Sequence, residues 1–493
     1  MFPLRSRKLL VLLSIWSGIT PLLHAEVSLP KVLGDRMVLQ RDQPIPIWGN
    51  ASPGETVTVR FQQQEKSTKA DAQGKWRVTL SPLPASSESR ELVVEGSNRI
   101  VLRDILVGEV WLCGGQSNME SPTGKDYKNL KAASNADPEL AEELKGNGYP
   151  AIRLFRVEKK LQPPDVVSDG WKIATPDAIA PFSAVGYTFA RKLFLETGVP
   201  VGILQSAWGG TRIEVWTPEE GYRSHPVFKN ETTGNPSLLD GSPIGSHHLA
   251  MIQPLAPFAL RGVLWYQGES NIIDLNDARY ADKFEALVHS WRAEWNQPEL
   301  PFLSVQLAPY NYSKRSKDKV RHSPTNLPEF WELQHLATAI PHTGIVPTMD
   351  IVDDLRDIHP IRKRPVGERL AQLALSTVYH HPDRIAGGPV FDKMEIQGNQ
   401  ARITFTQTGT GLKSADGNHL SHFEIAGADG NFHPAEATIE NNSTIHVSSP
   451  EVSEPTSVRY AWHEAARPNL INTEGWPAYP FRSSPSTWQP SLK

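Results

Sequence analysis

The central part of the chain, 105–387, alternates short apolar runs with longer stretches of helical spacing. Runs with the length of buried strands lie at 105–112, 152–155, 199–205, 260–266, 301–307 and 344–349. Helices are predicted at 182–196, 277–295 and 365–379 from the spacing of their apolar residues. Strands that alternate with helices form parallel sheets, because a parallel connection needs a crossover segment. The alternation therefore predicts an α/β fold in which helices cover a parallel sheet.

The regions on either side follow a different pattern of short strands separated by turn residues. Apolar and polar residues alternate at 57–61 and 76–80, and again at 401–405. An alternation of period two is typical of sheets with one buried face. The predicted parts are a signal peptide at 1–25, a β-sandwich domain at 26–104, an α/β domain with insertions at 105–387 and a β-rich domain at 388–493.

The N-terminus has the pattern of a secretory signal peptide. Three basic residues come first: Arg5, Arg7 and Lys8. An apolar run at 9–16 follows, and Ala25 is the small residue expected at a cleavage site. An uncleaved membrane anchor is the alternative, but the run is shorter than the roughly 20 residues that span a bilayer. We expect the mature chain to be secreted or periplasmic and free of the membrane after cleavage.

Charge and cysteine usage exclude several classes of protein. The formal net charge is −4, and a chain of this sign is a poor nucleic-acid binder because phosphates attract basic surfaces. Cys113 is the single cysteine, so the chain can form no internal disulfide and no cysteine cluster for a metal. Its place in a predicted buried strand indicates a small core residue rather than a reactive thiol.

One of the apolar runs ends in a way suited to exposing a nucleophile. The first run of the central region breaks at Gly114 and Gly115, which permit a sharp turn. Ser117 follows, between the two amide residues Gln116 and Asn118. A serine after a turn is also commonly a helix cap. The local pattern alone leaves a catalytic serine and a cap as alternatives.

Further stretches in a fixed order complete the pattern around this serine. The set consists of Gly115-Gln116-Ser117-Asn118-Met119, the segment 206–216 (SAWGGTRIEVW), the segment 262–271 (GVLWYQGESN) and Asp357-Ile358-His359-Pro360. Together they resemble the sialate O-acetylesterase family within the SGNH (GDSL-like) hydrolases, and the resemblance extends from about residue 30 to the C-terminus. It implies a three-layer α/β/α core with a parallel sheet, and a serine esterase that removes O-acetyl groups from a carbohydrate.

A serine hydroxyl needs a neighbouring base, and His359 is the candidate. Asp353, Asp354 and Asp357 lie on its N-terminal side, where a carboxylate would orient the imidazole. We predict Asp357 as the acid. The SGNH superfamily usually places its aspartate three residues before the histidine, where this chain has Arg356. Asp354, and a Ser–His dyad oriented by a backbone carbonyl, therefore stay as alternatives.

Acyl transfer also needs donors for the oxyanion of the tetrahedral intermediate. The resemblance implies the backbone N–H groups of Ser117 and Gly209, with Gly210 as an alternative to Gly209. The third predicted donor is the side-chain amide of Gln267, which stands where the superfamily usually has an asparagine. Asn271 is the fallback.

The predicted substrate-binding residues lie in the same motifs: Gln116, Trp208, Arg212, Trp216, Glu269 and Asn271. The two tryptophans suit stacking on a sugar ring, with burial in the core as the alternative. Arg212 suits a sugar carboxylate, because a guanidinium binds carboxylates in a two-pronged way, with pairing to Glu214 as the alternative. We expect Glu269 to be buried and bound to loops of the site, rather than to form half of a glycosidase carboxylate pair.

The sequence therefore predicts a secreted carbohydrate O-acetylesterase, similar to sialate O-acetylesterases, with a Ser–His(–Asp) mechanism. Acetylxylan or another acetylated polysaccharide is the alternative substrate. The alternative of a different class is a carbohydrate-binding protein with an inactive core, although the presence of both Ser117 and His359 opposes it. The chemistry implies no metal and no organic cofactor. The expected partner is an acetylated carbohydrate and not a nucleic acid.

Overall fold

The structure is a computed structural model that describes residues 26–275, 277–315, 320–381, 383–484 and 487–492. The predicted signal peptide lies outside the described residues. Within them, no helix combines the length and the apolar character needed to cross a bilayer.

Short strands build the N-terminal region. They are β1 (Val38–Gln40), β2 (Ile45–Asn50), β3 (Thr56–Phe61), β4 (Gln64–Lys69), β5 (Lys75–Leu80) and β6 (Ser86–Glu95). β3 pairs antiparallel with β4 and β6, and β2 pairs antiparallel with β5. Buried and exposed residues alternate along β5, where Trp76 and Val78 face the core and Arg77 faces solvent. The alternation read from the sequence is therefore confirmed here.

The central region contains the strands of the main sheet. They are β7 (Arg99–Gly115), β8 (Tyr149–Arg156), β9 (Trp171–Ala174), β10 (Val201–Ala207), the short pair β11 (Leu238–Leu239) and β12 (Ser242–Pro243), β13 (Gly262–Tyr266), β14 (Phe302–Val305) and β15 (Thr343–Val346). The order across the sheet is β15-β14-β13-β7-β10-β8-β9. All neighbours from β15 to β8 are parallel, and β9 is an antiparallel edge strand.

The long strand β7 belongs to two parts of the molecule. Its first half pairs antiparallel with β6, and its second half pairs parallel with β10 and β13. The boundary predicted between residues 104 and 105 falls inside this strand. The N-terminal strands are thus joined to the central sheet by continuous backbone pairing.

Helices connect the strands and cover both faces of the sheet. They are α1 (Ser117–Glu120), α2 (Pro138–Glu143), α3 (Pro176–Ile179), α4 (Ala184–Thr197), α5 (Glu219–Ser224), α6 (Glu269–Ile273), α7 (Tyr280–Trp295), α8 (Asn326–Leu336) and α9 (Arg364–Thr377). On one face α4 and α9 pack together, and Gly186 of α4 lies against Cys113. On the other, α7 and α8 pack together, and Trp291 of α7 lies near Gly114. Successive strand residues point to opposite faces, so Cys113 and Gly114 mark the two sides of a three-layer α/β/α core.

The ends of α4 follow from its sequence. The Ser183 side chain caps the helix by accepting a hydrogen bond from Gly186 N at 3.0 Å, and Gly198 ends it with a φ of 69°. The predicted helix at 182–196 is therefore confirmed. In contrast, α8 was not predicted, although Leu327, Phe330 and Trp331 are buried at helical spacing.

The C-terminal region is built from strands. They are β16 (Val390–Gln397), β17 (Gln400–Thr406), β18 (Leu412–Ser414), β19 (Phe423–Ala426), β20 (Phe432–Pro434), β21 (Glu436–Asn441), β22 (Thr444–Ser448), β23 (Ser457–Tyr460), β24 (Leu470–Asn472) and β25 (Phe481–Arg482). They form the antiparallel sheets β16-β17-β22-β21, β20-β19-β23-β25 and β18-β24. An ion pair between Arg482 and Glu332 at 2.7 Å joins this region to α8. The β-rich C-terminal region and the parallel α/β core are both as predicted.

Candidate active site

The sheet order places a crevice beside the end of β7. After β7 the chain continues to β8 and β10 on one side, whereas β13, β14 and β15 lie on the other. Ligands of open α/β sheets bind where the strand order reverses, at the carboxyl ends of the strands. Gly115 is level with Ala207 of β10 and Tyr266 of β13. The three sequence motifs that follow these strands therefore meet at one edge of the sheet.

Gly115 makes the turn that presents the serine. It has a φ of 131°, and a Cβ at this position would lie 2.1 Å from Tyr266 O. Gln116 N then donates to the same carbonyl at 3.0 Å, and α1 begins at the next residue, Ser117. Only a glycine permits both this backbone conformation and this close approach.

Ser117 and His359 lie 242 positions apart in the chain and are in contact. His359 Nε2 is 2.9 Å from Ser117 Oγ. Burial, reinforced by the nearby positive charge of Lys363, lowers the pKa of His359 to about 4. The imidazole is therefore neutral at neutral pH, and with its proton on Nδ1 it can accept the hydrogen of the serine hydroxyl.

The two candidate acids lie in different places. Asp357 Oδ1 is 3.7 Å from His359 Nδ1, which exceeds hydrogen-bonding distance, and the same oxygen accepts from His359 N at 2.9 Å. Asp354 is engaged by Arg356, whose Nε and Nη2 each donate to it at 2.9 Å. Asp357 is thus the nearer of the two to the imidazole, but its direct hydrogen bond is to the backbone.

The predicted oxyanion donors differ in their availability. As the first residue of α1, Ser117 has a backbone N–H that no carbonyl of the helix can accept. Gly209 lies next to it, since a Cβ on Gly209 would be 3.0 Å from the Ser117 Cβ. Gly209 N, however, donates to Glu120 Oε2 at 2.9 Å, and Lys159 forms an ion pair with the same carboxylate.

The Gln267 side chain, predicted as an oxyanion donor, is engaged by neighbouring groups of the protein. Gln267 is fully buried, and its Nε2 lies within hydrogen-bonding distance of Thr211 O at 3.1 Å and Asn271 Oδ1 at 2.7 Å. The fallback, Asn271, is also fully buried and donates to Glu214. Both amides are used to join the loops beneath the site, because a buried amide must satisfy its own hydrogen bonds.

Most of the predicted substrate-binding residues are buried rather than presented to a ligand. Gln116, Trp216, Glu269 and Asn271 are all almost completely buried. The Arg212 guanidinium donates to Asp240 O at 2.8 Å and forms an ion pair with Asp274. Trp208 is partly exposed, and of this set it is the residue that faces the open cleft described next.

A cleft of about 660 Å³ opens beside Trp208 and contains residues that the sequence did not single out. Its walls include Glu120 and the segment from Lys125 to Lys128. Lys159 also lines it and lies 4.8 Å from the ring centroid of Tyr127. Glu120 could have been recognised, because it stands one helical turn after Ser117. No local signal marks the others.

A possible metal-binding group lies elsewhere in the described part of the chain. Potential ligand atoms of His225, Asp282 and Glu285 lie within 4.8 Å of one another. Each already has protein partners: His225 Nε2 is 3.0 Å from Glu285, Glu285 accepts from Leu492 N, and Asp282 accepts from Trp488 Nε1. This group anchors the C-terminal segment to α7.

A serine in contact with a histidine at the switch point of a three-layer α/β/α sheet is the arrangement expected of a serine hydrolase. A family model described as "Carbohydrate esterase, sialic acid-specific acetylesterase" matches residues 107–376. Because the match covers more than half of the chain, this protein belongs to that family of carbohydrate esterases. The predicted family and enzyme class are thereby confirmed.

Individual relatives agree with this assignment. Sialate O-acetylesterase from Homo sapiens is 29% identical over 410 residues, which cover 76% of this chain and 75% of the relative. The enzyme of the same name from Mus musculus is 29% identical over 458 residues. The crystal structure of a carbohydrate acetylesterase from Xanthomonas citri matches with a TM-score of 0.81 and 36% identity, covering 94% of this chain and all of that one.

Proposed function

We propose that this carbohydrate esterase hydrolyses acetyl esters of sugars with Ser117 as nucleophile and His359 as general base. The observation that carries the proposal is the 2.9 Å contact between Ser117 Oγ and His359 Nε2. The depressed pKa of His359 supports it, because the imidazole stays in the form that accepts a proton.

The proposed reaction has two acyl-transfer steps. Ser117 Oγ attacks the acetyl carbonyl carbon while its proton passes to His359 Nε2. The tetrahedral intermediate collapses, the sugar oxygen leaves with the proton from His359, and an acetyl-serine remains. Water then attacks the acetyl-serine with His359 again taking a proton, and acetate leaves as the proton returns to Ser117.

Two backbone groups are proposed as donors to the oxyanion, Ser117 N–H and Gly209 N–H. Gly209 N–H already binds an anionic oxygen, that of Glu120. In the proposed complex the substrate oxygen takes this place, and Glu120 remains with its ion-pair partner Lys159. Removing one such donor from an esterase or protease costs about 3 kcal/mol of transition-state stabilisation.

We propose the cleft beside Trp208 as the site of the sugar, and an acidic sugar as the favoured substrate. Tyr127 and Trp208 offer aromatic faces. The basic side chains of the lining, Lys125, Lys128, Arg156 and Lys159, outnumber its carboxylates, Glu120, Asp126 and Glu158. The relatives from Homo sapiens and Mus musculus are named sialate O-acetylesterases, and sialic acid carries a carboxylate. Acetylated neutral polysaccharide is the competing substrate.

The test compares acetate release from 9-O-acetylated sialic acid and from acetylated xylan. We expect the native protein to release acetate faster from the acidic sugar and Ser117→Ala to release none. Ser224→Ala is the matched control, because Ser224 is an exposed serine of α5, and it should behave like the native protein. Acetate release by Ser117→Ala at the native rate would refute the proposed nucleophile. A preference for xylan would refute only the choice of sugar.

We also propose that the chain is exported and cleaved after Ala25, as the pattern of 1–25 indicates. Expression of the full chain followed by N-terminal sequencing tests this. A mature protein that begins at Glu26 and is recovered outside the cytoplasm is expected. Recovery of an uncleaved chain from the membrane fraction would support the anchor instead.

A further inference from the structure

A buried lysine that the proposed reaction does not use lies directly behind the serine and the histidine. Lys363 precedes α9 and is 2% exposed. Its Nζ donates to Asn118 Oδ1 and lies 5.7 Å from the ring centroid of Tyr266. Burial of a lysine is costly unless its amine nitrogen has a partner, so this contact identifies a specific arrangement rather than a chance packing.

The contact with Lys363 fixes the orientation of the Asn118 side-chain amide. A lysine ammonium has donors and no acceptor, so it must face Oδ1 of the amide. The two hydrogens on Nδ2 then meet two acceptors, Glu269 Oε1 and, at 3.1 Å, Ile358 O. Asn118 is 1% exposed, and this orientation gives each polar atom of its amide a partner.

The same amide connects the two reacting residues. Asn118 follows Ser117 in the chain, and Ile358 precedes His359. The hydrogen bond from Asn118 Nδ2 to Ile358 O therefore joins the serine turn to the histidine loop beside the contact between Oγ and Nε2. A change of about 1 Å in such a contact can slow a reaction about 10²-fold.

We propose that Lys363 is a positioning residue that fixes the Asn118 amide and thereby holds the His359 loop at reacting distance from Ser117. This inference rests on the proposed roles of Ser117 and His359. It adds a residue outside the four motifs to the machinery of the ester hydrolysis.

The charge of Lys363 also acts on the imidazole. The titratable groups that face Lys363 are Glu269 from α6, Asp357 and His359 from the loop before α9, and Tyr266 from β13. Burial lowers the pKa of Lys363 to about 7, although Glu269 and Asp357 act in the opposite direction. Lys363 is therefore protonated where His359 titrates, and its charge helps to keep the imidazole neutral.

The test replaces the lysine by an apolar side chain of similar length, Lys363→Met, and measures kcat, KM and the pH profile with a small activated acetyl ester. We expect kcat to fall about 10²-fold with little change in KM, because the ester still binds but the histidine loop is less well held. In the native protein the acid limb of kcat/KM should lie near pH 4. In Lys363→Met it should move to higher pH, because a like charge has been removed from the imidazole.

Arg292→Met is the matched control for the loss of a buried cation. Arg292 of α7 is 4% exposed and donates to Leu300 O and Pro341 O, away from the site. Its removal should lower the stability without moving the acid limb. Each rate is divided by the concentration of folded protein, which circular dichroism measures. A loss of folded protein is then not mistaken for a lower kcat.

A second variant keeps the inference testable if Lys363→Met does not fold. In Asn118→Asp the carboxylate can still accept from Lys363 but can no longer donate to Ile358 O, and we expect a similar loss of kcat. A native kcat in either folded variant would overturn the positioning role of Lys363, and an unmoved acid limb in Lys363→Met would overturn its effect on the imidazole. Inactivity of Ser117→Ala alongside such a result would leave the proposed hydrolysis standing, whereas an inactive native protein would refute the hydrolysis itself.

Discussion

Two buried glutamates lie at opposite ends of the parallel strands of the central sheet, and they differ in how their carboxylates are paired. These two ends are called the amino edge and the carboxyl edge of the sheet. Glu109 lies in β7 near the amino ends of the parallel strands and is fully buried. Arg41 and Arg261 both donate to its carboxylate, Arg261 Nε at 2.8 Å. Burial alone would raise the pKa of Glu109, but the two guanidinium groups outweigh it and lower the pKa. The two guanidinium groups therefore favour the charged form of this glutamate.

Glu269 lies at the carboxyl edge, where no guanidinium of the described part of the chain forms an ion pair with it. Its Oε1 accepts from the Asn118 amide, and its Oε2 has no hydrogen-bond partner among the described residues. Burial raises the pKa of Glu269, and the hydrogen bond from Asn118 and the charge of Lys363 offset only part of the effect. The two pKa values are thus shifted in opposite directions, that of Glu109 by paired charges and that of Glu269 by burial, and shifts of the second kind are frequent at functional sites. The comparison therefore separates a fully paired carboxylate at the amino edge from a partly paired one at the carboxyl edge, where the active site is proposed.

The substitution expected to have the largest effect on stability removes the charge of Glu109 at the amino edge. In Glu109→Gln the two arginines lose their shared counter-charge, and we expect the free energy of unfolding to fall by about 3 kcal/mol. The activity of the folded fraction should not change, because Glu109 lies at the other end of the strand. Urea unfolding and the rate per folded molecule measure the two quantities.

Glu269→Gln is the matched substitution at the carboxyl edge. Gln can still accept from Asn118, and no close ion pair is broken, so the free energy of unfolding should change by no more than about 1 kcal/mol. The rate should nevertheless fall, because Lys363 loses the nearby charge that favours its protonated form. Equal losses of stability in the two variants would show that the edges do not differ as described.

A smaller effect is expected from the acid beside the imidazole. Where an acid binds the histidine ring directly, its change to the amide costs about 10⁴-fold in kcat. Asp357 lies 3.7 Å from Nδ1 and binds the backbone instead, so Asp357→Asn should reduce kcat only about tenfold. The measurement is kcat at the pH optimum.

Asp354→Asn is its control and should retain the native kcat, since Asp354 is exposed and engaged by Arg356. A loss of 10³-fold or more in Asp357→Asn would mean that the carboxylate moves onto the imidazole during the reaction. Equal rates for Asp357→Asn and the native protein would instead support a Ser–His dyad.

The sequence by itself determined the parallel α/β class, the β-rich flanks and the pairing of Ser117 with His359. These features depend on local periodicity and on short motifs at the ends of strands, and parallel strands bring such ends to a common edge whatever the details of packing. The turn at Gly115 could also be predicted from the sequence, because only glycine readily adopts the positive φ that this position requires.

Only the tertiary structure decided how the remaining polar residues are used. Gln267 and Arg212 carry groups suited to a substrate, yet the fold directs them to Thr211 O and Asp240 O, because buried donors must be satisfied wherever the packing places them. Lys363 shows the reverse, since a lysine before a helix has nothing in its sequence context to indicate burial. Which polar groups are enclosed, and which acceptors they meet there, depends on segments far apart in the chain. A local sequence pattern therefore shows which polar side chains are present, whereas the tertiary structure determines which hydrogen-bond partners they meet.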